Sequence, residues 1–161
     1  MIVYKLFQIK QGKLFPLYVE ANREIEIGKW LKAGCGQLVD DTHVKASGCG
    51  GTLRLRQGYH STEVPFTDWI GKRTESGVLV QRNDTVWCEC EVRGTKIECT
   101  EHNGFKYIPK NSWYYFKTNS KQDKPWIISD QLKVNRILSN DEVAKICRAN
   151  GYEPQPIEAS A

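Results

Sequence analysis

No stretch of this chain approaches the roughly 20 consecutive apolar residues that a membrane-crossing helix requires, so the sequence offers no candidate transmembrane helix and no membrane partner is expected. The opening MIVYKLFQIK has no cleavable hydrophobic block of the kind that directs secretion, and a cytoplasmic location is expected. Cysteine is sparse. Cys35, Cys49, Cys88, Cys90, Cys99 and Cys147 are irregularly spaced, which excludes the dense disulfide framework of a small secreted domain and predicts free thiols. Paired C-x-x-C knuckles are missing too. Cys35, His43 and Cys49 share one loop, with His60 or Cys99 as a further donor, but structural zinc usually shows such knuckles, so no metal is expected. There is no internal repeat and no strong charge imbalance: 23 basic against 19 acidic side chains leave a net +4. That charge permits an anionic partner without imposing one, unlike the basic stripes of dedicated nucleic-acid binders.

What remains is ordinary globular composition, 40% hydrophobic and 26% charged over 161 residues, enough for one self-sufficient core. The expected organisation is a single α+β domain over 1–151 and a weakly ordered, proline-containing tail over 152–161. IVYKLFQIK and KLFPLYVE flank a glycine-bearing turn and read as a hairpin whose second strand, carrying Pro16, lies at an edge or is bulged. Ile25 and Ile27 alternate with Glu24 and Glu26, a half-buried strand pattern. From Ala33 to Gly51 a glycine-rich loop shows no periodic element. Leu53 and Leu55 alternate with Arg54 and Arg56 in a short strand running towards Gly58.

The segment STEVPFTDWIGK has helix-start signals: Ser61 or Thr62 as cap, Pro65 in the first turn, and Gly71 as a stop. Further on, Val86, Cys88, Cys90 and Val92 share one face of a strand, while Trp87, Glu89 and Glu91 share the other. SWYYF and PWIIS continue the β character. Ser139-x-x-Glu142 is a capping box ahead of Val143, Ile146 and Cys147, and Gly151 suits a left-handed helix end. The fold expected is therefore α+β: a curved, mostly antiparallel sheet of about six to nine strands, one short helix after residue 62, and a C-terminal helix from Ser139.

The chemistry-bearing stretch is RLRQGYHST, residues 54–62. A glycine bend followed by His, Ser and Thr at a helix start would present a ring nitrogen, hydroxyls and free amides to a phosphate or carboxylate. Arg54 and Arg56 would add charge-assisted contacts. Arg54, Arg56, Tyr59, His60, Ser61 and Thr62 are thus the candidate ligand-binding residues, and a nucleotide-like anion is the candidate ligand. The same residues also admit a structural role, in which Ser61 or Thr62 caps, Tyr59 packs and His60 donates one internal hydrogen bond. SWYYFKTNSKQDKPW mixes rings with lysines as single-strand-binding platforms do. Neighbouring rings on a strand face opposite sides, however, so nucleic acid is not the favoured partner. Glu89 and Glu91 beside Trp87 form a candidate carboxylate pair, with solvated strand charges as the equal alternative.

Over nearly its whole length, through YKLF, G-x-L-x-P-L-Y, I-G-x-W-L-x-A, L-R-x-G-Y-H, V-W-C-E-C-E-V and KPWIISDQLKVNRILS, the chain resembles a family of small uncharacterised proteins of bacteriophages and mobile elements of gut bacteria. That resemblance implies an accessory or counter-defence protein that binds a host protein or complex in the host cytoplasm. A shorter resemblance, Gly58-Tyr59-His60-Ser61-Thr62 followed by VWCECEV, is to the middle of ADP-ribosyltransferase domains. It implies a transferase-like fold with Tyr59, His60 and Ser61 lining a nicotinamide pocket, Tyr4 contributing from below, and a glutamate, Glu89 or Glu91, stabilising the ribosyl cation. The histidine-glycine or arginine pair of that family is not present on the first strand. NAD enters only through this resemblance; otherwise no cofactor is expected.

Overall fold

The computed structural model describes residues 1–47 and 50–159; Cys49, one of the candidate zinc donors, lies outside the described residues. In chain order the strands are β1 (Ile2–Lys10), β2 (Lys13–Phe15), β3 (Trp30–Lys32), β4 (His43–Lys45), β5 (Thr52–Arg54), β6 (Tyr59–Ser61), β7 (Lys72–Arg73) and β8 (Leu79–Val80). Then come β9 (Thr85–Glu91), β10 (Thr95–Lys96), β11 (Ser112–Phe116), β12 (Trp126–Ser129), β13 (Gln131–Ile137) and the helix α1 (Asn140–Ala149). Among the described residues no helix is long and apolar enough to cross a membrane.

The sheet is mostly antiparallel, as expected, but it is divided. A five-stranded sheet runs β2-β1-β9-β13-β3, and a four-stranded sheet runs β10-β11-β12-β6 with its β10–β11 pair parallel. Two short ribbons, β4–β5 and β7–β8, stand apart. The alternation on β9 explains how the layers stack. Cys88 and Cys90, both fully buried, join Val3, Phe7, Leu132 and Val134 in a core shared with Tyr59 and Ile127 of the four-stranded sheet. Trp87 points the other way and packs with Leu6, Leu138, Val143 and Cys147, so α1 covers the second face of the five-stranded sheet. Burying a side chain the size of Phe7 contributes about 2–3 kcal/mol, and a sheet covered on both faces does this twice over.

The first hairpin has Lys10 opposite Lys13 across Gln11 and Gly12, both with positive φ (52° and 76°). This conformation matches the twist of the flanking strands and favours glycine at the second position. β2 stops at Phe15, before Pro16, and is an edge strand. The helix α1 begins at the expected box: Ser139 Oγ accepts from the Glu142 amide at 3.1 Å, and the Glu142 carboxylate accepts from the Ser139 amide. Gly151 follows it at φ 82°.

Four expectations are corrected. Residues 63–71 form no helix. Thr62 exchanges main-chain hydrogen bonds with Tyr4, and its hydroxyl donates to the carbonyls of Tyr4 (3.2 Å) and Val64 (2.5 Å). A residue held in an extended bridge in this way leaves no free first-turn amides to cap. The Glu24–Ile27 alternation makes no strand either. Only Ile25 pairs, with Leu14, Ile27 is exposed, and the strand forms at Trp30–Lys32 against β13. The glycine-rich loop is not wholly irregular, because β4 forms within it by pairing with β5. Finally, the residues after α1 lie against the body up to Ala159. Tyr152 stacks on Phe66 with ring centroids 5.0 Å apart, and Gln81 pairs with Ile157 through hydrogen bonds to Pro156 and Glu158.

Candidate functional site

The site follows from how β1 uses its two edges. One edge pairs with β9 along Ile2–Gln8. The other pairs with β2 at Gln8–Lys10 and with the single residue Thr62 at Tyr4. Between these two attachments, around Leu6, no described strand pairs with that edge, and a cavity of about 380 Å³ opens beside it. Its aromatic walls are Tyr4, Tyr18, Tyr59, Trp69, Trp87 and Trp126; Lys5, Arg23, Arg54 and Arg56 line it as cations, and Glu20 as the carboxylate. The ribbon β4–β5 closes one side through Val44 and Leu53.

Gly58 explains why a glycine stands next to the crowded YHST. Its φ is +135°, and a Cβ there would lie 2.4 Å from Ile128 Cγ2, so only glycine lets the chain turn into β6 against β12. Along β6 the side chains alternate. Tyr59 and Ser61 face the shared core, while His60 points to the opposite side, with its ring edge-on to Trp126 at 6.0 Å.

Tyr59 lines the cleft with its ring, but its hydroxyl is committed: it donates to the Lys32 carbonyl at 3.0 Å and accepts from Arg23 at 3.1 Å. His60 donates Nδ1–H to the Gly58 carbonyl at 3.2 Å. Burial, reinforced by the charges of Lys5 and Arg56, pushes its imidazole down to about 3, so the ring is neutral at pH 7. Lys5 reaches across from β1 and donates to the His60 carbonyl at 2.8 Å. It has no carboxylate partner among the described residues, and burial pulls its ammonium down to about 8.

Arg56 is built in. Its Nε donates to the Asn103 carbonyl at 2.7 Å, its guanidinium lies 4.8 Å from the Phe116 ring centre, and Gly104 leaves room for its side chain. Arg54 differs, being exposed at the end of β5 with no side-chain hydrogen bond or ion pair among the described residues.

The structure therefore brings Arg54, Arg56, Tyr59 and His60 to one cleft and leaves out two expected residues. Ser61 is fully buried and donates to the Ile127 carbonyl at 3.1 Å. Thr62 is spent on Tyr4 and Val64, so neither hydroxyl faces the cavity. Nor do the candidate glutamates. Glu89 accepts from Asn135 at 3.3 Å and lies 3.6 Å from Arg136, and Glu91 pairs with Lys133 at 2.8 Å. His43 hydrogen-bonds Thr42 and Asp40, and no group of three or more metal-ligating side chains occurs among the described residues. In SWYYF, Tyr114 is fully buried, and Trp113 and Tyr115, partly buried, pack against the core.

Sequence reasoning passed over Lys5, Glu20, Arg23 and four of the six aromatic walls. A signal for Lys5 was present: it lies between Val3 and Phe7 on the buried face of a nine-residue strand, where a lysine is rarely found without a purpose. Glu20 carried none, since it reaches the cleft through a positive φ of 55° and the close approach of Gly34, whose Cβ would meet its carboxylate at 2.7 Å. No family model, no curated protein and no solved structure matches this chain.

Proposed function

We propose that this chain is a phage-type accessory or counter-defence protein of the cytoplasm that acts by binding, and that its cleft receives a nucleotide-like anion, free or presented by a host protein. One observation carries the reading: Lys5, Arg54 and Arg56 line an aromatic-walled cavity without a carboxylate paired to any of them among the described residues. Its one lining carboxylate, Glu20, is already paired with Arg23 at 3.4 Å. Such a site offers rings to a planar base and uncompensated charge to a phosphate. Calorimetry with AMP, ADP, NAD and inorganic pyrophosphate tests it. Binding that weakens with salt and with Arg54→Gln supports the reading, and no heat or melting shift with any of the four removes it. A pull-down from host extract addresses the protein partner.

A second reading, ADP-ribosyl transfer from NAD, draws on the meeting of Tyr4, Tyr59 and His60 in that cleft. Glu89 and Glu91 lie outside it, leaving Glu20 as the carboxylate such chemistry would need. Incubation with labelled NAD and host extract separates transfer from binding alone. A third reading, single-stranded nucleic-acid binding, draws on Trp113, Tyr115 and Phe116, which stay partly exposed beside the fully buried Tyr114.

A further inference from the structure

We propose that Lys5 is a nucleophilic amine that forms an imine with a phosphorylated aldehyde held in the cleft. The inference rests on the cleft reading and adds covalent chemistry to it.

The placement of Lys5 is unusual for a lysine. Its strand neighbours on the same face, Val3 and Phe7, are fully buried, yet Lys5 itself lines a cavity of about 380 Å³. Its side-chain hydrogen bond goes to the His60 main-chain carbonyl, an acceptor that orients the amine without neutralising it. The one carboxylate lining the cavity, Glu20, is paired with Arg23, and the thiols beside Lys5 carry no negative charge. Cys88, opposite it on β9, is pushed up to about 12, and the Cys90 thiol is raised as well, so both stay protonated. His60 is neutral, and Arg56 is a cation. Some other lysines pair with carboxylates, as Lys13 does with Glu24 and Lys29 with Glu26. Removal from water favours the neutral, nucleophilic amine, one of the ways in which imine-forming lysines are activated.

The chemistry is self-contained. The Nζ lone pair of the neutral amine adds to the aldehyde carbon, and the carbonyl π pair moves to oxygen, which takes one of the two Nζ–H protons to give a carbinolamine. The nitrogen lone pair then forms the C=N bond as the hydroxyl leaves, and the second N–H proton goes to that hydroxide to make water. Amine and aldehyde thus give imine and water with no change of oxidation state. Arg54 and Arg56 supply the phosphate contacts from the same cavity.

The test uses the unmutated chain and pyridoxal 5′-phosphate as the probe, with borohydride reduction and peptide mapping of the reduced adduct. At pH 8 the adduct on Lys5 is expected to exceed that on exposed Lys13, Lys29 and Lys72 by about tenfold or more, because burial brings its ammonium down to about 8. Inorganic pyrophosphate should suppress it. Adduct spread evenly over the exposed lysines, or absent from residue 5, overturns the inference. AMP binding, measured alongside by calorimetry, separates the two levels. AMP bound with no Lys5 adduct defeats the imine and leaves the cleft reading standing, whereas neither signal defeats both. Lys5→Arg, which keeps the charge and cannot form the imine, should abolish the adduct at residue 5; its fold is checked by its melting transition.

Discussion

Tyr4 and Thr62 exchange both main-chain hydrogen bonds, Tyr4 N–H to Thr62 O at 2.8 Å and Thr62 N–H to Tyr4 O at 2.7 Å. This single bridge fastens the end of β6 to the free edge of β1, and the cleft opens beside it. Thr62→Pro removes the donor to Tyr4 and is expected to destabilise the fold by at least about 2 kcal/mol, read from urea unfolding. Unchanged stability would show that the bridge does not hold the two sheets together.

At Gly58 the left-handed backbone and the Ile128 contact act together. Gly58→Ala should cost about 2–4 kcal/mol, the sum of conformational strain and an overpacked neighbour. Gly12 is also at positive φ, but a methyl group there would meet nothing within 4 Å, so Gly12→Ala isolates the strain alone and should cost less. Comparing the two chemical denaturation midpoints checks the argument.

His60 should make stability depend on acid. Its folded-state imidazole titrates at about 3 against 6.5 when unfolded, so the unfolded chain binds the extra proton between those values. The contribution of a neutral His60 is complete above pH 6.5 and is lost as pH falls towards 3. His60→Gln should therefore flatten the unfolding free energy between pH 6.5 and 4 relative to the parent protein. Parallel profiles for the two chains would contradict the assignment.

Arg54 and Arg56 should separate in function despite lying two residues apart. Arg54→Gln, at an exposed position with no side-chain partner among the described residues, is expected to change stability by less than about 0.5 kcal/mol while weakening anion binding several-fold. Arg56→Gln also loses the Asn103 carbonyl and the Phe116 ring face, and should cost about 1–2 kcal/mol of stability. Paired melting and calorimetry on each variant check both statements.

Ser139→Ala should cost about 1 kcal/mol, because the Glu142 amide loses its acceptor at the start of α1. The effect should appear as fraying of the helix by hydrogen exchange, with Arg136 still able to hold the Glu142 side chain.

Features written in neighbouring residues were legible. The capping box at Ser139-x-x-Glu142, the two-faced β9 and the tight turn at Gln11-Gly12 each involve residues within a few positions, and local chemistry decides them. The helix after residue 62 failed as an expectation for the same reason in reverse. Its local signals were genuine, but a partner 58 residues away took the Thr62 hydrogen bonds first. The candidate site divided along this line. His60, Tyr59 and the two arginines were found because their residue types announce chemistry. Lys5, Glu20 and the tryptophans were missed because only long-range pairing brings them to the same cavity.

By itself the sequence determined the strand-rich composition, the terminal helix and the absence of a long apolar segment. Tertiary structure alone decided that the strands divide into two sheets, that β1 keeps part of one edge unpaired, and that a lysine from one strand meets a histidine carbonyl from another. The physical reason is that a hydrogen-bonding edge and a buried charge are defined by what lies opposite them, and in this chain the opposing groups come from distant segments.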